Sequence, residues 1–316
     1  MSGAEGWRKA PAKVNLRLSV LGRRHDGFHE LDGVMALVEL ADSLACEELD
    51  ASAGGDRLER TSTVVRGAGA GDGSSSPEAW LDRFEVPLGA DNLVLRAADA
   101  YRQAAQQRDV LVPPLRWRLV KRIPIAAGLG GGSSDAAAAL GHLESSYPAG
   151  IDLLALAERL GSDVPFFVLG ATAARARGRG ERLEPVGVPA QPLVLVNPGV
   201  GVSAADAFRW WDPGRPAKVP FDVPSWWAGP PVANDLEAGV AERVGEVRRL
   251  LDVLRANHDG PVAMSGSGAT CFALAPDPGS AVELAHVLRR QLGPDTWIEV
   301  SALAARAEPR GPLAPR

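Results

Sequence analysis

Cysteine is scarce in this chain. It has two, Cys46 and Cys271, far apart and outside any C-x-x-C spacing. That excludes a disulfide framework and a cysteine-built metal or redox motif, and the two read as reduced, buried thiols of a cytoplasmic protein. Histidine is limited to five residues with no H-E-x-x-H pattern, so the helix-borne ligand set of a zinc protease is missing. Basic charge is not in excess. Lys and Arg number 34 against 39 Asp and Glu, a net charge of −5. An electrostatic footprint for nucleic acid is therefore missing, and an anionic ligand has to be held by local groups. No apolar run is long enough to span a bilayer, and the N-terminus lacks an apolar signal core. The expected partner is a small molecule, with no nucleic acid and no membrane, bound by a monomer or homodimer.

What is present is room for a core and one conspicuous loop. The chain of 316 residues is 46% hydrophobic, enough for two medium-sized domains. The run Pro124-Ile125-Ala126-Ala127-Gly128-Leu129-Gly130-Gly131-Gly132-Ser133-Ser134-Asp135-Ala136 carries little side-chain bulk and leads into an Ala-rich helix starting near Asp135. Glycine lets backbone approach a ligand closely. Ser133 or Ser134 is the expected N-cap. The free amides and positive dipole end of such a helix start suit a phosphate group. A Walker loop is excluded because Gly132-Ser133-Ser134 contains no Lys, and G-x-G-x-x-G fails because Gly128-x-Gly130-x-x ends on Ser133. A flexible loop before a surface helix is the plainer reading of the glycines taken by themselves.

Elsewhere the pattern alternates between strands and helices. Val14, Leu16, Leu18 and Val20 interleave with Lys13, Asn15, Arg17 and Ser19, the period of a half-buried strand that puts Lys13 and Asn15 on its polar face. A further strand is expected over 34–40 and another over 115–121. Helices are expected over 92–107, 135–145 and 151–160, the last closed by Gly161. Residues 165–169 and 171–177 read as short apolar or strand-like pieces. Residues 45–90 are poorly patterned, and Gly67–Ser76 is low-complexity sequence expected to be mobile. Composition shifts over 178–189. Beyond it, strands near 193–196, 262–264, 270–275 and 296–303 alternate with helices over 204–211, 236–257 and 280–292, as in a small α+β sandwich. A Pro- and Trp-rich stretch at 211–231 reads as a long loop, and 305–316 as a frayed tail.

The loop from Pro124 to Ala136 resembles the ATP-binding signature of the GHMP kinases. Further motifs follow that family's order: Pro11-Ala12-Lys13-Val14-Asn15-Leu16, Leu160-Gly161-Ser162-Asp163-Val164-Pro165-Phe166-Phe167, and Met264-Ser265-Gly266-Ser267-Gly268-Ala269-Thr270-Cys271. The segment Asp26-Gly27-Phe28-His29-Glu30-Leu31 is similar to the D-G-Y-H-x-L of the family's branch that acts on a CDP-linked methylerythritol. The resemblance covers Ala10 to about Leu303. It implies an α+β fold: an N-terminal domain (1–180) like ribosomal protein S5 domain 2, a C-terminal ferredoxin-like sandwich (181–304), and an active site in the cleft between them. It implies transfer of phosphate from ATP, with Mg²⁺, to the 2-hydroxyl of the methylerythritol moiety on the non-mevalonate route to isoprenoid precursors. A GHMP kinase for another small alcohol, or a non-catalytic nucleotide- or RNA-binding protein on the S5-like fold, is the rival reading.

The resemblance also assigns residues. Asp163 matches the family's catalytic base and Lys13 its catalytic lysine, while an Asp at this place also suits an ordinary N-cap. The nucleotide would lie on Pro124, Gly128, Leu129, Gly130, Gly131, Gly132, Ser133 and Ser134, with Asn92 of Asp91-Asn92-Leu93 near the adenine. Asn92 fits a plain helix cap equally well. Asn15, Gly266 and Gly268 would shape the substrate's polyol end. His29 would hydrogen-bond cytosine, with Phe28 and Phe208 stacking on it. Phe28 stands where the family has Tyr, which keeps stacking and loses the hydroxyl. Phe208 also reads as a core residue, and Ser203 is a weak substrate candidate. Lys121 and Arg122 would neutralise phosphates or solvate a strand end. Arg175, Arg177, Arg179 and Arg182 are expected to be mostly solvated surface. No protein ligand for Mg²⁺ is named, although Ser134 is a candidate oxygen.

Overall fold

A computed structural model describes residues 6–61, 80–81, 84–211 and 232–305. The low-complexity run Gly67–Ser76, most of the Trp-rich stretch and the tail lie outside the described residues. Two sheets organise the molecule. The first has the order β3-β4-β2-β1-β8, with β5 and β6 continuing from β2. Its centre is the antiparallel pair of β1 (Arg8–Arg23) and β2 (His29–Glu48), long strands joined by the tight turn at Asp26 and Gly27. β2 serves two neighbours in succession. Residues 31–36 pair with β5 (Ala173–Gly178) and residues 43–48 with β4 (Leu115–Val120). β3 (Arg57–Arg60) lies parallel to β4 at one edge. β6 (Arg182–Pro185) pairs with β5, so this sheet continues past residue 180. β8 (Ala233–Asn234) returns from the C-terminal half to lie parallel to β1.

Helices α1 (Leu93–Gln106), α2 (Gly131–Ser146), α3 (Leu153–Leu160) and α4 (Val164–Leu169) cover one face of this sheet. They enclose a cluster around Tyr101, Trp117 and Leu140. The second sheet, β11-β7-β10-β9, consists of β7 (Pro192–Asn197), β9 (Val262–Met264), β10 (Cys271–Leu274) and β11 (Trp297–Ala302). Helices α5 (Ala204–Trp210), α6 (Glu237–Arg243), α7 (Gly245–Ala256) and α8 (Pro278–Leu292) belong to this half. None of the described helices is long and apolar enough to cross a membrane.

Several local expectations are corrected. β1 is not half-exposed: Lys13, Asn15 and Ser19 are buried along with the apolar residues. Ala12, Val14 and Leu16 face Leu193, Leu195 and Phe272 of the second sheet, and α2 lies over β1 as well. Residues 164–169 form a helix rather than a strand, with Pro165 in its first turn, where a missing amide costs nothing. The helix expected over 236–257 is divided at Val244, which leaves helical geometry and ends α6 as it opens α7. Gly161 closes α3 in extended geometry rather than the left-handed cap. Cys271 is buried, but Cys46 is only partly so, and both are free thiols.

The cluster shared by the two sheets packs the halves against each other, which predicts that they unfold together. Phe272 sits fully buried in it. Phe272→Ala is expected to cost about 3–5 kcal/mol, the usual range for emptying a large core site. Urea unfolding should show the lowered midpoint with both halves still melting together. Loss of the C-terminal transition alone would show that the halves are independent.

Candidate active site

Lys13 comes from the centre of β1, where register shifts fall between Pro11 and Lys13 and again between Asn15 and Arg17. Such bulges re-aim side chains beside functional sites. Here they flank the stretch 13–15, within which alternation holds, so that Lys13 and Asn15 share one face and both line a cavity of about 920 Å³. Lys13 Nζ donates to Asn15 Oδ1 and stands 3.5 Å from Asp163 Oδ2. Asp163 occupies the cap position before α4, yet among the described residues its carboxylate makes no capping hydrogen bond. The cap alternative therefore leaves its oxygens unused, and the cavity-facing contact with Lys13 is the one the geometry provides.

The glycine loop meets Lys13 directly: the Lys13 amide donates to Leu129 O at 2.9 Å. α2 begins at Gly131, earlier than expected, and its N-cap is Gly130 at φ +70°, without a side-chain cap. Neither Ser133 nor Ser134 caps the helix, because both already lie inside its first turn. The amides at the start of that turn have no intrahelical acceptor, a donor set that an anion satisfies. Gly130 and Ser133 line the cavity; Ser134 is buried, and among the described residues its Oγ has no hydrogen-bond partner. Gly128 has φ +76°, and a Cβ there would lie 2.1 Å from Ser265 O. The loop is thus packed against the glycine turn 265–268 so closely that no side chain fits between them.

Lys121 is not placed to neutralise phosphates. Its buried ammonium is held by Asp42 and, at 2.7 Å, by Asp135 Oδ2. Burial disfavours the charge, but Asp135 and Asp42 outweigh it and raise its pKa. Burial also raises the Asp135 carboxyl, against the opposing pull of Lys121. Asp42 Oδ1 accepts from the amides of Arg122 and Ile123 at 2.6 and 2.9 Å. This cluster pins the entry to the loop onto β2 and α2. Arg175 likewise departs from the solvated reading, with a bidentate pair to buried Asp32 at 2.8 and 2.7 Å.

The far end of the cavity is aromatic. His29 stacks on Phe208 with centroids 4.9 Å apart and planes 15° apart, and meets the edge of Trp211 at 5.7 Å. Phe28 is 51% exposed, with the Arg179 guanidinium 4.8 Å above its ring. Phe208 is therefore partnered by His29 rather than standing opposite Phe28. Burial first, then the charge of Arg23, lowers the His29 pKa, which favours the neutral ring. Neutral imidazole offers one donor and one acceptor.

Not every expected residue reaches the cavity. Asn92 caps α1 through Val94 N at 2.9 Å and donates to Pro87 O at 2.6 Å. Leu129 is core, Pro124 and Gly131 are buried, and Gly132 is exposed. Gly266 lines the cavity, whereas Gly268 lies under the turn with its amide bonded to Ser265 O. Ser203 is a helix cap, accepting from Asp206 N. Conversely, Leu18 and Trp211 line the cavity although no site role was expected of them, Arg179 does so against the expectation of solvated surface, and Leu31 and Ser162 line it from within the quoted motifs.

Comparison with known proteins follows this geometry. A family model described as "GHMP kinases N terminal domain" matches residues 92–171, and one described as "GHMP kinases C terminal" matches 227–294. A 4-diphosphocytidyl-2-C-methyl-D-erythritol kinase of Thermus thermophilus is 39% identical, over 89% of this chain and 92% of that protein. One of Deinococcus radiodurans is 40% identical, over 92% and 90%. A crystal structure of 4-(cytidine 5'-diphospho)-2C-methyl-D-erythritol kinase superposes with a TM-score of 0.74 at 38% identity, covering 95% of this chain and all of that one. The chain belongs to the GHMP kinase family, in its 4-diphosphocytidyl-2-C-methyl-D-erythritol kinase branch. The α+β, two-part kinase fold expected from the motifs is the fold found.

The loop geometry separates its glycines by test. Gly128→Ala places a methyl against backbone at a positive φ and is expected to abolish ATP binding or folding. Gly132→Ala has 3.7 Å to its nearest neighbour and should be tolerated. Calorimetric ATP titration and melting curves of both variants check this. Equal behaviour of the two would dismiss the close-packed loop.

Proposed function

We propose that this chain transfers the γ-phosphoryl group of ATP to the 2-hydroxyl of 4-diphosphocytidyl-2-C-methyl-D-erythritol, giving ADP and the 2-phosphate. The step lies on the non-mevalonate route to isoprenoid precursors. The observation that carries the reading is the Lys13 Nζ to Asp163 Oδ2 contact at 3.5 Å, in one cavity with the glycine loop and the Phe28–His29–Phe208 cluster. Two ends of a substrate are thereby provided for, one phosphorylated and one carrying a flat base.

Phosphoryl transfer needs alignment and charge compensation more than covalent help. The amides at the start of α2 and the backbone of Gly128 and Gly130 would hold the ATP phosphates. Asp163 would accept the proton of the 2-hydroxyl as its oxygen bonds to the γ-phosphorus. The bond from that phosphorus to the β,γ-bridging oxygen breaks, and ADP leaves. Lys13 would polarise the same hydroxyl and face the transferred group, with Asn15 holding Lys13 and the polyol. Asn92 and Pro124 remain candidates for the outer part of the nucleotide.

Mg²⁺ would arrive as the chelate of ATP and neutralise charge on the phosphate oxygens. Among the described residues no group of three or more His, Cys, Asp or Glu is placed to hold a metal. Ser134 Oγ, without a hydrogen-bond partner among the described residues, would be a candidate oxygen for it. Free thiols and the use of ATP suit a cytoplasmic enzyme, working as a monomer or homodimer on a small molecule.

Asp163→Asn keeps the shape and removes the proton acceptor. Its kcat should fall about 10²–10⁴-fold with ATP affinity nearly unchanged. A substrate panel tests the assignment itself. The CDP-linked acceptor should exceed its UDP-linked analogue by on the order of 2–4 kcal/mol in kcat/KM, because a carbonyl would replace the amine that the site reads. Equal rates for the two, or turnover of mevalonate or homoserine, would overturn the cytidine assignment.

The lowered pKa of His29 adds a pH signature. If the neutral ring reads cytosine, acceptor binding weakens only as pH falls through that lowered value, below histidine's ordinary one. Arg23→Gln removes the repulsion, raises the His29 pKa and should start the loss at higher pH. KM for the acceptor measured against pH decides the matter, and an unmoved acid limb would clear His29 of the role.

A further inference from the structure

The sequence pattern assigns Leu236 to a helix and gives Asn234 and Asp235 no role. In the structure this short segment joins the two halves. The Asp235 amide donates to Leu18 O at 2.9 Å, and its carboxylate accepts from Val20 N at 3.0 Å. Glu237 Oε2 accepts from Met264 N at 2.9 Å, and Leu236 is buried against the cavity. Asn234 reaches furthest. Its Nδ2 donates to Met264 O at 2.8 Å and to Gly266 O at 2.7 Å, while its Oδ1 accepts from Leu236 N at 2.9 Å. It is buried, so both amide hydrogens are committed to the glycine turn.

That turn is a wall of the Lys13 site. A Cβ on Gly266 would lie 3.2 Å from Lys13 Nζ and 3.3 Å from Asn15 Oδ1. Whatever sets the position of Gly266 therefore sets the room left to Lys13. Two buried carbonyls facing one point repel each other unless donors lie between them, and an unsatisfied carbonyl is costly. An NH₂ group supplies both donors. A carboxylate of the same size supplies none, a serine hydroxyl supplies one, and alanine leaves both carbonyls unpaired.

We propose that Asn234 is a positioning residue of the phosphoryl transfer, holding Met264 O and Gly266 O so that the glycine turn fixes Lys13 and Asn15 relative to Asp163. The proposal rests on the kinase reading above. Asn234 touches neither the nucleotide nor the acceptor and acts through the turn.

The test compares Asn234→Asp, Asn234→Ser and Asn234→Ala with Asp235→Ala, which loses a bond of the same junction without touching the turn. Steady-state kinetics is read together with amide hydrogen exchange at Ser265 and Gly268. The Asp and Ala variants should lose about 10–100-fold in kcat, the scale of a small misplacement of reacting groups, with KM for ATP and acceptor changed less than about 3-fold. The Ser variant should fall in between, and it carries the test if the Asp variant does not fold. Exchange in the turn should quicken in all three. Asp235→Ala should lower Tm and leave kcat in place. Wild-type kcat in folded Asn234 variants, unchanged exchange in the turn, or an equal kcat loss in Asp235→Ala would overturn the proposal. Absence of phosphoryl transfer by the wild-type protein would instead strike the kinase reading, while the exchange data still decide whether Asn234 holds the turn.

Discussion

The hydroxyl of Ser265 is the point on which the active-site cavity depends. Fully buried, it donates to Gly128 O at 2.9 Å and accepts from Asn15 N at 3.2 Å. One side chain thus joins the strand that carries Lys13, the phosphate loop and the C-terminal glycine turn, segments separated by more than a hundred residues. Neighbouring backbone bonds reinforce it: Thr270 N to Ala127 O at 3.2 Å, and Lys13 N to Leu129 O at 2.9 Å. Each such bond contributes only about 1 kcal/mol net. Their effect is geometric, because the contact at Gly128 is too close for any side chain and can be kept only if all three segments hold their places.

Charge is distributed to suit this scaffold. Lys13 and Lys121 are both buried, and they do different work. Lys121 is enclosed by two carboxylates and anchors the loop entrance; removing one partner of such a cluster would strand a charge in the interior. Lys13 shares its contacts between a neutral amide and one carboxylate that is itself partly open to the cavity. It keeps capacity toward an incoming anion that Lys121 has spent. Local arrangement, rather than net charge, reconciles an acidic protein with a polyphosphate ligand.

Much of this was legible in the sequence where chemistry requires particular residues in a row. The loop from Gly128 to Ser134, the pair Lys13 and Asn15 one pleat apart, and Asp163 after a glycine all stand at the cavity or beside it. Features that depend on distant partners were not legible. The cap of α2 is Gly130 because a helix start that offers its amides outward needs no side chain over them. The burial of β1 on both faces is imposed by α2 and by a sheet more than 170 residues later, which no local alternation can announce. Lys121, next to a phosphate loop, reads as a phosphate ligand until Asp42, 79 positions away, is seen to hold it. Asn234 is invisible for the same reason, since its partners are carbonyls, and carbonyls have no sequence identity.

The aromatic end of the cavity shows why Phe28 fits a place where the motif it resembles has tyrosine. Its ring lies at the rim and is 51% exposed, so a phenolic hydroxyl there would point into water and gain little from the protein. What the position can contribute is a flat apolar face, and that face is already used by the guanidinium of Arg179 at 4.8 Å. Phe208 and His29 likewise cover each other at 4.9 Å. The cluster therefore keeps its stacking surfaces occupied by its own side chains. A base entering it exchanges one stacked contact for another instead of burying bare rings, and the gain from stacking is correspondingly reduced. Under the proposed cytidine reading, discrimination between bases would then come from directed hydrogen bonds, and His29, with its neutral ring favoured by burial, is the group in this cluster able both to give and to accept one.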